Sequence, residues 1–316
     1  MNKIVITGVT GFFGSALAKF LLSNGCKVYG VGRNKEKLNH LSRESSNGQF
    51  IPVVADFSEY SNLPMLISDD IDCFFHLAWS GGFTTAIRDY KVQMENAAHV
   101  GDAALAAISI GCKKFIYAGT YNQYEIQTIL NGDNKEPRWT NIYSAGKTAG
   151  GVIARTLTYN AGIEYCGALI PMPYGEGNYS KQLMNIVIDQ LLQGQSPKLV
   201  EGNNLYDIVY IDDIVRGLVA IGERGKNQSE YYLGHRKLKT FRELMIDVRD
   251  VIAPNIELKF GEYHDNQNID YRKIDLDLLF RDTDFECSAD FSRSLILTAL
   301  WRKKIIGEKS DISFCL

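Results

Sequence analysis

The chain has 316 residues, 45% hydrophobic and 22% charged, with a formal net charge of −3. That length suffices to bury a core, either in one large α/β unit or in two unequal domains. The charge balance offers no basic field, so nucleic acid is not an expected partner.

Met1-Asn2 leads straight into an apolar run, leaving no room for the regions of a signal peptide, and no apolar run approaches the roughly 20 residues of a membrane helix. The expectation is a cytoplasmic protein with no membrane partner. Cys26, Cys73, Cys112, Cys166, Cys287 and Cys315 form no C-x-x-C pair and no zinc spacing with histidine. They read as reduced, mostly buried thiols, and no metal is expected.

Lys3–Thr7, Lys27–Val31, Phe50–Val54, Cys73–Leu77, Lys114–Ala118 and Glu164–Ile170 are short, apolar and often β-branched, the pattern of buried strands. Helical stretches lie between them, as in Gly14–Ser23, which Asn24-Gly25 ends. Regular alternation implies right-handed crossovers and an α/β, doubly wound parallel sheet of Rossmann type. After Gly175 the regularity falls. The expected order is a loop at 175–178, a helix over Gln182–Leu192, a turn at Gly194–Leu199 and a strand over Asp207–Tyr210. Asp212-Asp213 then cap a helix over Ile214–Gly222, and Thr240–Ile252 is a helix with Thr240 and Glu243 as its capping box. Leu276–Phe280 and Leu295–Trp301 carry helical apolar spacing. The division expected is a dinucleotide-binding domain over 1–177, to which 205–234 returns, and a smaller irregular α/β lobe over 178–204 and 235–316.

Gly8, Gly11 and Gly14 sit where the first strand meets the first helix. Glycine permits the turn and lets backbone approach a pyrophosphate, while the helix N-terminus adds unpaired N–H groups and partial positive charge. The spacing is G-x-x-G-x-x-G, and Thr10, Phe12 and Phe13 fall inside it. A packing turn alone is the alternative reading; the strand before and the helix after favour a dinucleotide. The second strand ends in Gly30-Val31-Gly32-Arg33-Asn34, without the carboxylate that accepts from an NAD ribose. Arg33 can hold a 2′-phosphate, which points to NADP(H), with NAD(H) the alternative and a solvated loop arginine the bland reading. Asp56 either accepts from adenine or caps a turn, with Phe57 beside it. Leu77, Ala78, Trp79 and Ser80 follow the fourth strand, where backbone runs beside a cofactor. His76 reads as a core histidine.

Tyr143 and Lys147 are spaced i, i+4 and so share one helical face. A fixed ammonium stabilises a phenolate, and the protonated phenol can donate to a ketone oxygen, which is acid–base catalysis run either way. Y-x-x-x-K alone is weak; behind a phosphate loop and five α/β units it is strong. Thr120, at the carboxyl edge of the fifth strand, can bond the reacting oxygen.

With Gly8, Gly11, Gly14, Thr120, Tyr143 and Lys147 in place, the chain resembles the extended short-chain dehydrogenase/reductases, and within them the nucleotide-sugar epimerase/dehydratase branch. Asn96, Glu136-Pro137, Pro171 with Tyr174-Gly175, Asp207–Asp213 and Thr298 with Trp301 extend the likeness along nearly the whole chain. The resemblance implies Tyr143 as acid/base, Lys147 on the nicotinamide ribose, Thr120 on the sugar oxygen, Pro171 near the cofactor and a nucleoside-diphosphate sugar in the second lobe. It also implies a homodimer through the Tyr143 helix and Asp89–Ala107.

The chain departs from that branch as well. Tyr121-Asn122 stand where the branch's 4,6-dehydratases carry an Asp-Glu pair, which leaves no carboxylate for elimination. Leu169, Met172 and Tyr206 replace Arg, Asn and Arg of relatives. The diphosphate is then left to Lys181, His235, Arg236 or Arg272, with Ser80, Tyr121, Asn122, Met172, Asn178 and Tyr206 completing the candidate substrate set. The reading is NADPH-dependent reduction of a nucleoside-diphosphate 4-keto-sugar. The alternatives are a 4-epimerase and a non-catalytic NADP-binding sensor or scaffold.

Overall fold

Alternating strands and helices build the first half of the chain in a computed structural model that describes residues 1–43, 47–81, 84–264, 267 and 269–313. Strands β1 (Lys3–Thr7), β2 (Lys27–Gly32), β3 (Gln49–Val54), β4 (Cys73–His76), β5 (Lys114–Thr120) and β6 (Glu164–Ile170) are interleaved with six helices. These are α1 (Phe12–Ser23), α2 (Lys35–Arg43), α3 (Leu63–Leu66), α4 (Tyr90–Ile110), α5 (Gln123–Leu130) and α6 (Thr140–Asn160). Next along the chain come β7 (Met172–Tyr174), α7 (Leu183–Leu192), β8 (Lys198–Val200), β9 (Leu205–Tyr206), β10 (Ile208–Tyr210), α8 (Ile211–Arg224) and β11 (Ser229–Tyr232). The last elements are β12 (Lys239–Thr240), α9 (Phe241–Ile252), β13 (Lys259–Tyr263), α10 (Leu278–Thr283) and α11 (Phe291–Ser313).

The first six strands and β11 form one sheet of order β11-β6-β5-β4-β1-β2-β3, with every pairing parallel. Side chains alternate across it as a period of two requires. Ile4 and Ile6 enter a core shared with Leu17 of α1, Val187 of α7 and Leu218 of α8. Val5 faces the opposite core, with Val100 and Ala104 of α4 and Ala154 of α6. Strand order reverses between β1 and β4, the switch point outside whose carboxyl ends such sheets bind ligands.

Small residues set how closely α6 lies on α4. A Cβ at Gly146 would stand 2.7 Å from the Gln93 carbonyl oxygen, and one at Gly150 would stand 2.9 Å from Val100. The contact brings α6 down beside the end of β5, and so fixes where Tyr143 and Lys147 point.

The later elements are less regular. The loop ending at β8 was expected to be a turn; Lys198–Val200 instead pairs with β13. Asp212 and Asp213 lie in the first turn of α8, whose N-cap is Tyr210, and are not caps themselves. Asp213 accepts from the backbone N–H groups of Ser288 (3.1 Å) and Ala289 (3.0 Å) while pairing with Arg216 of its own helix. Thr240 and Glu243 form the expected capping box of α9. Cys26, Cys73, Cys112 and Cys166 are buried free thiols and Cys287 is a half-buried one; Cys315 lies outside the described residues. Among the described residues no helix is long and apolar enough to cross a membrane.

Asp213 is buried and satisfies two backbone donors and a guanidinium, so its truncation strands all three. Asp213→Ala is expected to cost about 3 kcal/mol in urea unfolding, against less than about 0.5 kcal/mol for Asp133→Ala, at an exposed position.

Candidate functional site

The turn between β1 and α1 is shaped by backbone contact. Gly8 has φ +68°, and a Cβ there would stand 2.8 Å from the Ala78 Cα across the switch point. At Gly14 a Cβ would stand 2.3 Å from the Gly8 oxygen. Helix α1 starts at Gly11 with no side-chain cap, so its first N–H groups face outward without a protein acceptor in the cap position. Bare glycine backbone and an uncapped helix start suit a pyrophosphate, which needs donors and room rather than side chains. The residues present therefore fit a dinucleotide.

One cavity of about 820 Å³ opens from this turn. Of the residues singled out from sequence, Gly8, Thr10, Gly11, Phe12, Phe13, Gly14, Leu77, Trp79, Thr120, Tyr143, Lys147, Pro171 and Asn178 line it. A phosphate cradle and a phenol–ammonium pair, more than 120 residues apart in sequence, thus share one space.

Lys147 is buried, and its Nζ donates to the Ala118 carbonyl oxygen at 2.8 Å. Its ammonium lies 3.9 Å from the Trp79 ring centre, 5.3 Å from that of Tyr117 and 6.0 Å from that of Tyr143. Burial pushes the ammonium down to about 7. Burial also pushes the Tyr143 phenol above its ordinary value, while the hydrogen bond with Thr120 pulls the other way. Burial thus outweighs the stabilisation that a fixed ammonium gives a phenolate. Loss of water from around the phenolate outweighs a cation whose own contacts are a carbonyl and an indole face. The phenol is protonated at neutral pH, the state of a proton donor.

His76 is buried in the sheet, with Nδ1 2.9 Å from Thr7 Oγ1. Burial and then the Lys147 charge hold it at about 3, a neutral core imidazole. Asp56 is the cap rather than a free acceptor: it takes the Phe57 N–H at 2.9 Å and closes a capping box with Glu59. Arg33 stands off the cavity wall, well exposed, with Nη1 3.9 Å from Asp56 Oδ2. Phe57 stacks on His99 at 4.7 Å. Ala78 packs beneath Gly8. The Ser80 backbone is held at both ends by Asn96, with bonds of 2.8 and 2.9 Å.

The remaining candidate substrate residues do not line the cavity. Tyr121 is buried, accepts from Gln267 at 3.1 Å and packs edge-on against Tyr206, which in turn meets Phe241. The Asn122 N–H lies 3.4 Å from Thr120 Oγ1. Met172 opens β7 and packs on the core. His235 pairs with Asp207 at 2.7 Å, Arg236 with Asp277 at 2.5 Å, and Arg272 with Asp270 at 2.7 Å. Three of the four cations considered for a diphosphate are therefore already matched by carboxylates; Lys181 is exposed.

Other cavity residues carried no sequence signal. Glu36, Lys37 and His40 of α2 and Lys19 of α1 line it, as do Tyr179, Ser180 and Gln182 after Asn178. Periodicity marks α2 as a surface helix but not which of its polar residues turn toward β1.

A family model described as "NAD dependent epimerase/dehydratase family" matches residues 4–234, which spans the main sheet through β11 and stops before His235. CDP-abequose synthase of Yersinia pseudotuberculosis is 23% identical over 270 residues, covering 84% of this chain and 90% of that protein. Among solved structures, Thermotoga maritima UDP-glucose 4-epimerase with UDP-glucose superposes at TM-score 0.75 with 20% identity, over 96% of this chain and 99% of that one. Bordetella bronchiseptica WbmF in complex with NADH superposes at TM-score 0.78 with 19% identity, over 98% and 94%. With its glycine cradle and phenol–ammonium pair meeting in one cavity, the chain belongs to the NAD dependent epimerase/dehydratase family and is an enzyme of the NAD(P)-dependent oxidoreductase or epimerase type.

Proposed function

We propose that the protein reduces a nucleoside-diphosphate 4-keto-sugar with NADPH. The observation that carries this reading is the single cavity joining the glycine turn to a protonated Tyr143. When bound, the dinucleotide supplies a hydride to the carbonyl carbon. Tyr143 gives its proton to the carbonyl oxygen, and Thr120, which lines the cavity with Tyr143, orients that oxygen. Lys147, anchored on Ala118, holds the nicotinamide ribose and stabilises the phenolate left behind. Ile170, Pro171 and Trp79 wall the site with apolar surface and exclude water. Tyr121 and Asn122 supply no carboxylate for elimination, which supports reduction over dehydration.

The sugar nucleotide is assigned to the lobe of 178–204 and 235–316, entering past Asn178 and Tyr179; the similarity to CDP-abequose synthase supports a nucleotide-sugar substrate. NADPH is preferred over NADH because Arg33 and not an acid directly follows β2, and because Lys19, Lys37 and His40 outnumber Glu36 among the charged and titratable residues of α1 and α2 that line the cavity. The protein works as a homodimer through α4 and α6, whose Leu105, Val152, Ile153 and Tyr159 remain exposed.

Mixed with NADPH and a nucleoside-diphosphate 4-keto-sugar, the enzyme is expected to consume reduced cofactor stoichiometrically, followed by its near-ultraviolet absorbance. Interconversion of two sugars without net consumption identifies a 4-epimerase instead. Tyr143→Phe is expected to cut turnover at least about 100-fold and leave NADPH affinity within about threefold; unchanged turnover sinks the role. Lys37→Glu and Arg33→Glu are each expected to weaken NADPH about tenfold and leave NADH nearly untouched in fluorescence titrations. Equal wild-type affinity for the two cofactors refutes the preference. Val152→Arg is expected to turn a dimer into a monomer in sedimentation.

A further inference from the structure

Trp79 makes more contacts with the phenol–ammonium pair than a cavity wall requires. The Lys147 Nζ sits over its indole face at 3.9 Å, and its edge meets the Tyr143 ring at 5.9 Å and 86°. The indole cannot rotate freely. Its Nε1 donates to Gln93 Oε1 at 2.9 Å, and the Gln93 Nε2 donates to the Ala86 carbonyl oxygen at 2.8 Å. A carbonyl can only accept and an indole N–H can only donate, so the Gln93 amide has one orientation that serves both. Gln93 is fully buried, and Gly146 of α6 packs directly on its backbone. Three residues along α4 from Gln93, Asn96 fastens the Ser80 backbone to the helix. The loop after β4 is thus strapped to α4 by two amide side chains.

The ammonium has few other partners. Among the described residues its one hydrogen bond goes to the Ala118 carbonyl oxygen. The titratable groups facing it are Tyr143 from its own helix, Tyr117 from β5 and His76 from β4, and none of the three is a carboxylate. A desolvated cation without a carboxylate gains from an electron-rich ring face.

We propose that Trp79 is a positioning residue: its indole, locked by Gln93, holds the Lys147 ammonium charged and in place beside Tyr143 before any dinucleotide enters. This rests on the reading that a nicotinamide dinucleotide fills the cavity and meets Lys147 there. Loss of the ring face weakens the protonated form of Lys147 relative to the neutral amine. The ammonium then gives up its proton at a lower pH, and its contribution to cofactor binding fades earlier as pH rises.

The test is NADPH affinity against pH by fluorescence titration, on the full-length wild type, Trp79→Leu and Trp79→Phe. Wild-type affinity is expected to fall as pH rises through the Lys147 titration. For Trp79→Leu that fall is expected about one unit lower, a loss relative to wild type of about twofold at the lower midpoint that rises toward about tenfold above the upper one; Trp79→Phe, which keeps a ring face, is expected to recover most of it. Superimposable wild-type and Leu curves, an upward shift, or the same loss at every pH in both variants overturns the proposal, the last being what a merely structural role produces. Should Trp79→Leu not fold, Gln93→Met, which removes only the anchor of the indole, takes its place: a downward shift supports the proposal and an unshifted curve overturns it. A wild type that binds neither NADPH nor NADH sinks the dinucleotide reading itself, a result distinct from curves that bind but do not shift.

Discussion

The cavity depends first on a contact of backbone against backbone, where Gly8 meets Ala78 at the switch point of the sheet. There is no space for a Cβ between the turn after β1 and the loop after β4, and that contact holds the two rims of the cavity at a fixed separation. It explains why the start of α1 remains open toward the cavity. It also explains why Trp79, one residue beyond Ala78, lands next to the phenol–ammonium pair. Because both rims are ends of buried parallel strands, their positions come from the sheet and not from flexible loops.

The second determinant is the packing of α6 on α4. Gly146 and Gly150 remove the side chains that would hold the helices apart, and Lys147 can then reach the end of β5 and fasten on Ala118. A buried ammonium bonded to a neutral carbonyl, beside an indole and two phenols, is costly in water-free surroundings. Folding energy from the two flanking cores offsets that cost. The result is an ammonium near its titration point and a protonated phenol, a charge arrangement ready to receive a dinucleotide and to donate a proton.

Much of this was legible in the residues. Glycines between an apolar run and a helical stretch have one common physical use, and the i, i+4 spacing of Tyr143 and Lys147 survives any placement of their helix. The places of the first six strands followed from apolar, β-branched runs, with ends off by up to two residues (β5 runs on to Thr120), and the Thr240 and Glu243 box followed from local side-chain reach alone. The substrate set was much less legible. His235, Arg236 and Arg272 look like free cations in a sequence, yet each finds a carboxylate through folding: Asp207 at a distance of 28 residues, Asp277 at 41, and Asp270 close by. Asp56 caps its own turn, and Tyr121 and Tyr206 pack on each other. Lys37 and Gln182 reached the cavity without any pattern that announces it.

The division has a physical basis. Periodicity, turn chemistry and helical spacing act over a few residues, so the order of strands, the phosphate turn and the shared face of Tyr143 and Lys147 were fixed by local chemistry. Protonation states, the partners of each charged side chain and the shape of the cavity depend on groups brought together from 30 to 120 residues apart. Burial alone moved Lys147 toward 7 and carried Tyr143 upward. No local pattern encodes how much water a folded chain excludes, and that exclusion sets the chemistry of this site.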